Sequence, residues 1–228
     1  MLKYLLFDLD ETLFDFPAAE RAAISEVLSG LGITPTEEII KRYSEINRSC
    51  WEALERGELS RYEVLHKRFD ILFSELRLDI ESTRAQSEYE YRLSLEHPFI
   101  EGGRELLDAL YGKYRLYIAS NGTALVQDRR IKEADLEKYF DNIFISERVG
   151  YDKPLREFFD IAFSQIEGFK KDETIFLGDS LTSDIRGAKN AGILSCYFNR
   201  YGIKNNTGIT PDYEISRLSD FLKILEEL

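Results

Sequence analysis

The chain has 228 residues, 43% of them hydrophobic, which suffices for one large core or for a core with a smaller companion domain. Forty-two acidic against 30 basic residues leave a net charge of −12, which argues against nucleic-acid polymers and anionic membranes as partners. With two histidines, and two cysteines far apart at 50 and 196, a His-rich zinc centre and a disulfide framework are poor starting points, so chemistry must come mainly from carboxylates.

Residues 4–7 form a short apolar run that ends at Asp8 and reads as a buried strand. The opening Met1 to Phe7 turns acidic too soon for a signal peptide, and no window approaches about 18 uninterrupted apolar residues, so the expectation is a cytoplasmic protein. From 16 to 97 the pattern is helical throughout, too long for a simple crossover between strands. Ile24, Val27, Leu28 and Leu31 share one helical face. Thr34-Pro35-Thr36-Glu37 then reads as an N-cap, a first-turn proline and a capping-box glutamate opening a second helix. Ser60-Arg61-Tyr62-Glu63 is another capping box, and it leads into the stripe Tyr62, Leu65, His66, Phe69, Leu72, Phe73, Leu76. On that stripe His66 is expected to pack in the core, as are Tyr43, Ile46 and Trp51. Cys50 and Cys196 are expected to be buried thiols.

Past Pro98 and Gly102-Gly103 the pattern becomes an alternation. Apolar runs at Leu116–Ala119, Ile143–Ile145, Thr174–Leu177 and Leu194–Phe198 are separated by helical patterns through Leu106, Leu107 and Leu110 and through Leu155, Phe158, Phe159 and Ala162, with a last one at Leu218, Phe221, Leu222 and Leu225. The expected fold is α/β: a Rossmann-like parallel sheet with helices on both faces, formed by 1–15 and 98–228, carrying an inserted all-helical domain at 16–97. Ligands of such sheets sit beyond the carboxyl ends of the strands.

Four short segments fall there. Asp8-Leu9-Asp10-Glu11-Thr12 follows the first strand; residues two apart on extended chain point the same way, so the two carboxylates can share a pocket, where mutual repulsion favours a bound cation. Mg²⁺ suits this, because it takes oxygen ligands and keeps positions for water and phosphate. A calcium loop does not fit, since Leu13 and Ala19 stand where such a loop needs Gly and Glu. Ser120-Asn121-Gly122 offers a hydroxyl, an amide and a flexible backbone ahead of a helix, which suits a phosphate oxygen and equally suits a plain turn. Lys153 precedes Pro154 and can bring a positive charge to phosphate or to Asp8, although a lone lysine is usually solvated. Gly178-Asp179 through Asp184 places one acid at the strand end, as a metal ligand or a helix cap, and a second that can reach a metal through water.

Together, these four segments resemble the four motifs of the haloacid-dehalogenase-like hydrolase superfamily, over nearly the whole chain and with a helical cap between the first two. The resemblance implies Asp8 as nucleophile and Asp10 as general acid and base. It implies Mg²⁺ held by Asp8, Asp10 (through its carbonyl), Asp179 and Asp184, and phosphate gripped by Thr12, Ser120, Asn121, Gly122 and Lys153. A narrower resemblance to the pyrimidine 5′-nucleotidase branch comes from Ile145-Ser146-Glu147-Arg148-Val149-Gly150, Asn190-Ala191-Gly192-Ile193 and Cys196-Tyr197-Phe198-Asn199, and implies a nucleoside monophosphate as substrate. Two alternatives stay open: a phosphatase or phosphomutase acting on sugar phosphates, and a non-catalytic binding protein that keeps the fold.

Overall fold

Alternation along the first strand decides where the rest of the chain packs. In the computed structural model, which describes Met1–Leu228, β1 (Tyr4–Phe7) sends Leu5 and Phe7 into one hydrophobic layer and Tyr4 and Leu6 into another, all fully buried. The chain then divides into two compact units: Met1–Asp15 with Pro98–Leu228, and Phe16–His97.

The second unit holds four helices: α1 (Phe16–Gly30), α2 (Glu37–Glu55), α3 (Arg61–Glu75) and α4 (Ser82–Leu93). Thr36, rather than the expected Thr34, caps α2, its extended backbone letting the hydroxyl accept from the Ile39 N–H, so Pro35 lies ahead of the helix. The Ser60–Glu63 capping box forms with both of its reciprocal bonds. The buried face of α3 carries Val64, Arg68, Phe69, Leu72 and Phe73. That face is rotated from the expected stripe, and His66 is a correction: it is only half-buried and lies tilted against the exposed ring of Tyr62. Trp51 is likewise half-buried, under the Arg61 guanidinium, whereas Tyr43 and Ile46 are core as expected.

Besides the ring cluster of Tyr43, Phe69 and Tyr89, a buried polar chain ties all four helices together. Glu20 of α1 accepts from Ser44 and, at 2.6 Å, from Asn47 of α2; Arg68 of α3 donates to Asn47 Oδ1 at 2.7 Å and to Gln86 Oε1 of α4 at 2.7 Å. Burial pushes the Glu20 carboxyl above its ordinary range, against the two hydrogen bonds that favour its charge.

The first unit resumes with α5 (Gly103–Leu110), β2 (Arg115–Ser120), α6 (Ala124–Glu133), β3 (Asn142–Ile145), α7 (Ser146–Val149), α8 (Arg156–Ser164) and β4 (Thr174–Gly178). A π-helical turn at Leu181–Ile185 runs into α9 (Arg186–Ala191), followed by β5 (Leu194–Phe198), β6 (Tyr213–Ile215) and α10 (Ser219–Glu227). The six strands are all parallel, in the order β3-β2-β1-β4-β5-β6. On one face Leu5, Phe7, Ile118, Leu177 and Phe198 pack with Leu106, Leu107, Ile131 and Phe221; on the other Tyr4, Leu6, Tyr117 and Phe176 pack with Phe158, Phe159 and Ala188. Helix α9 approaches α8 so closely that a Cβ on Gly187 would lie 2.6 Å from the Phe159 ring. Strand β6 has no counterpart among the expected runs, because three residues are too few to show a period. Both cysteines are buried and free, and no helix is long and apolar enough to cross a membrane.

Arg68→Met removes the cation that Asn47 and Gln86 satisfy, and should cost about 3 kcal/mol, as expected for breaking a buried charged network. Chemical denaturation of the full chain measures this. A change below about 0.5 kcal/mol, the scatter of an ordinary surface substitution, would show that the polar chain contributes no stability.

Candidate active site

Sheet order decides which loops meet. The chain builds outward from β1 through β2 to β3, then returns to the other side of β1 for β4, β5 and β6, so the topological switch lies between β1 and β4. Register does the rest: Phe7 pairs with Ile118 on one side and with Leu177 on the other. The residues just beyond, Asp8, Ala119-Ser120 and Gly178-Asp179, therefore emerge at one level, and the Asp8 N–H continues the ladder to Leu177 O at 2.9 Å.

Lys153 fills the centre of this group. Its side chain is 1% exposed, and its ammonium donates to Asp8 Oδ1 at 2.6 Å, Asp184 Oδ1 at 2.7 Å and Ala119 O at 2.6 Å, which uses all three of its donors. Burial alone would lower the lysine, but the carboxylates of Asp184 and Asp8 overcome it and hold the ammonium well above its ordinary range. Burial pushes Asp8 up to about 7, in spite of Lys153. Asp179 is driven well above the carboxylate range by burial and by the neighbouring Asp184, Asp8 and Glu11.

Local chain geometry brings Asp184 in. The Ser180 hydroxyl caps the π turn by accepting from the Ser183 N–H, and the Ser180 N–H donates to Asp184 Oδ2 at 3.0 Å, folding that carboxylate back over the end of β4. A Cβ on Gly178 would lie 2.3 Å from Asp184 Oδ2, so glycine is required for this approach. One carboxylate oxygen from each of Asp8, Asp179 and Asp184 lies within 4.8 Å of the others. Three hard oxygen donors this close, two of them with carboxyls raised toward protonation, fit a small divalent cation that would relieve their repulsion.

Asp10 takes a different direction from Asp8. Glu11, with φ of 62°, turns the chain sharply, and the Asp10 carboxylate is held by Gln127 Nε2 and Arg130 Nη1, each at 2.6 Å. Ser120 Oγ accepts from the Gly122 N–H at 3.1 Å and from Gln127 Nε2 at 3.0 Å, so its own proton points elsewhere. The Asn121 amide grips the main chain of Lys153, accepting from its N–H and donating to its carbonyl, both at 2.9 Å. Asn121 is thereby placed as a brace between two loops. Thr12 is fully buried, and its hydroxyl has no protein hydrogen-bond partner.

Gln127 and Arg130 are the functional candidates that motif reasoning passed over. Their signal was present in α6, where Val126, Gln127, Arg130 and Ile131 form one buried helical face with two polar members. A fully buried arginine in such a face calls for a carboxylate partner, and Asp10 is that partner.

Comparison with known proteins accords with this geometry. Residues 2–192 match the model of the haloacid dehalogenase-like hydrolase family. The chain is 36% identical over 226 residues to the pyrimidine 5′-nucleotidase PynA of Streptococcus pneumoniae, covering 99% of this chain and 95% of that one. It is 29% identical to the pyrimidine 5′-nucleotidase YjjG of Escherichia coli, over 97% of each. The crystal structure of the putative HAD-hydrolase YfnB of Bacillus subtilis, bound to magnesium, superposes with a TM-score of 0.95 at 35% identity, covering 98% of both chains. With a parallel sheet that gathers its acids at one switch point and matches of near-full length, the chain belongs to the haloacid dehalogenase-like hydrolase family.

Proposed function

We propose that this protein is a Mg²⁺-dependent phosphomonoesterase that works through an aspartyl-phosphate on Asp8, and that its substrates are pyrimidine nucleoside 5′-monophosphates. The observation that carries the chemistry is the buried Asp8 carboxylate, joined to Lys153 and gathered with Asp179 and Asp184 at the switch point. In this reading the free oxygen of Asp8 attacks phosphorus in line, the ester P–O bond breaks, and the leaving oxygen takes a proton from Asp10. Water then attacks the phosphoenzyme, Asp10 accepts its proton, and inorganic phosphate leaves with Asp8 regenerated. The Ser120 hydroxyl binds a phosphoryl oxygen, Lys153 adds its buried positive charge beside Asp8, and Asn121 holds Lys153 in place. Mg²⁺, held by Asp8, Asp179, Asp184 and the Asp10 carbonyl, would supply further charge neutralisation. The nucleotide specificity is supported by the likeness to PynA and YjjG over nearly their full lengths.

A phosphate-release screen over nucleotides, sugar phosphates and an aryl phosphate tests both levels of the proposal. Turnover should require Mg²⁺, stop with a chelator and favour pyrimidine 5′-monophosphates. A preference for sugar phosphates would overturn the specificity alone, and no turnover on any phosphate would favour a non-catalytic role. Asp8→Asn should lower kcat by at least about 10³-fold with the fold retained by circular dichroism, and undiminished turnover would remove Asp8 as nucleophile.

Lys153→Met should destabilise the metal-free protein by about 3 kcal/mol, because Asp8 and Asp184 lose their shared counter-charge in a buried site. Mg²⁺ should recover part of that loss in a thermal melt. Equal stability of variant and wild type in chelator would contradict the central place given to this ammonium.

A further inference from the structure

The structure assigns to Gln127, held by Arg130, the task of positioning Asp10 as the base of the second half-reaction; this rests on the phosphoenzyme reading above. Arg130 is completely buried, lies 4.9 Å from the centre of the Phe14 ring, and directs one nitrogen to both Asp10 Oδ1, at 2.6 Å, and Gln127 Oε1, at 2.9 Å. That second contact fixes the orientation of the Gln127 amide. Its carbonyl faces Arg130, so its NH₂ must face the opposite way, where the two hydrogens are taken by Asp10 Oδ2 at 2.6 Å and Ser120 Oγ at 3.0 Å. Gly122 leaves room for this amide, since a Cβ there would lie 2.3 Å from Gln127 Nε2.

Asp10 thus has an N–H donor on each carboxylate oxygen, which fixes its orientation and suits it to accept a proton once it has given its own to the leaving oxygen in the first half-reaction. A carboxylate aimed by two fixed donors is suited to receiving a proton from the attacking water. The same amide anchors to the Ser120 hydroxyl, so the group that would take the proton and the group that would hold the phosphoryl oxygen keep a set spacing. Gln127 touches neither substrate nor reacting atoms in this scheme and acts through Asp10.

A positioning role predicts an uneven loss between the two half-reactions. With p-nitrophenyl phosphate the first step needs no proton from the enzyme, and nitrophenol release in a stopped-flow burst reports phosphoenzyme formation, whereas the steady state reports its hydrolysis. Gln127→Glu keeps the shape but sets a second carboxylate against Asp10; Gln127→Met removes both donors. In each, the steady-state rate should fall about 10²-fold while the burst rate falls less than about tenfold, so that the phosphoenzyme accumulates and can be trapped by hydroxylamine. Equal losses in both phases, or unchanged rates in variants that melt within a few degrees of wild type, would overturn the assignment. If the wild-type protein turned over no phosphate ester, the phosphoenzyme reading would fail and carry this inference with it. Wild-type turnover with equal losses in the variants would remove the inference alone.

Discussion

One buried ammonium organises this site. Lys153 reaches from the loop after α7 to the ends of β1 and β2 and to the turn after β4, and its three hydrogen bonds exhaust its donors. Removing such a charge from water is costly, and only the two facing carboxylates and the carbonyl of Ala119 offset it. The acids need the lysine in turn. Asp8, Asp179 and Asp184 crowd to within 4.8 Å of one another, and the ammonium offsets part of a repulsion that otherwise drives these carboxyls toward protonation. Gly178 and the Asn121 amide serve the same arrangement, the first by letting Asp184 close in and the second by holding the lysine's backbone.

The helical unit repeats the device for a different end. Arg68 gathers Asn47 and Gln86 as Lys153 gathers its carboxylates, and Glu20 extends the chain to a fourth helix. An apolar cluster can be entered from many angles. A chain of donors and acceptors admits few arrangements, because each missed partner costs about 1–3 kcal/mol when buried. Such a chain therefore sets the angles between helices more narrowly than the rings of Tyr43, Phe69 and Tyr89 would alone.

Much of this was legible in the residues because strand ends leave strong marks. Four apolar runs each stop at a polar or glycine-bearing motif, and parallel pairing converts those stops into one level in space. What could not be read depends on which side of a helix is inward. Tyr62 and His66 share a stripe with Phe69 and Phe73, yet the helix turns its Val64 and Arg68 edge to the core, a choice made by the polar chain. Lys153 alone looked like a surface lysine, since its burial depends on carboxylates distant in sequence. Gln127 and Arg130 escaped notice for the same reason: a buried polar pair at i, i+3 has meaning only once its partner across the sheet is known.

The Asp15 N–H donates to Pro98 O at 2.8 Å, so the chain leaves the sheet unit and rejoins it at adjoining points. The 82 residues from Phe16 to His97 are spliced into what is topologically a short loop. Insertions, deletions and exchanges in that stretch need not alter the register of β1 with its neighbours. Descent could therefore vary the helical segment at a pace of its own while the sheet and its acids stayed under a separate, stricter selection.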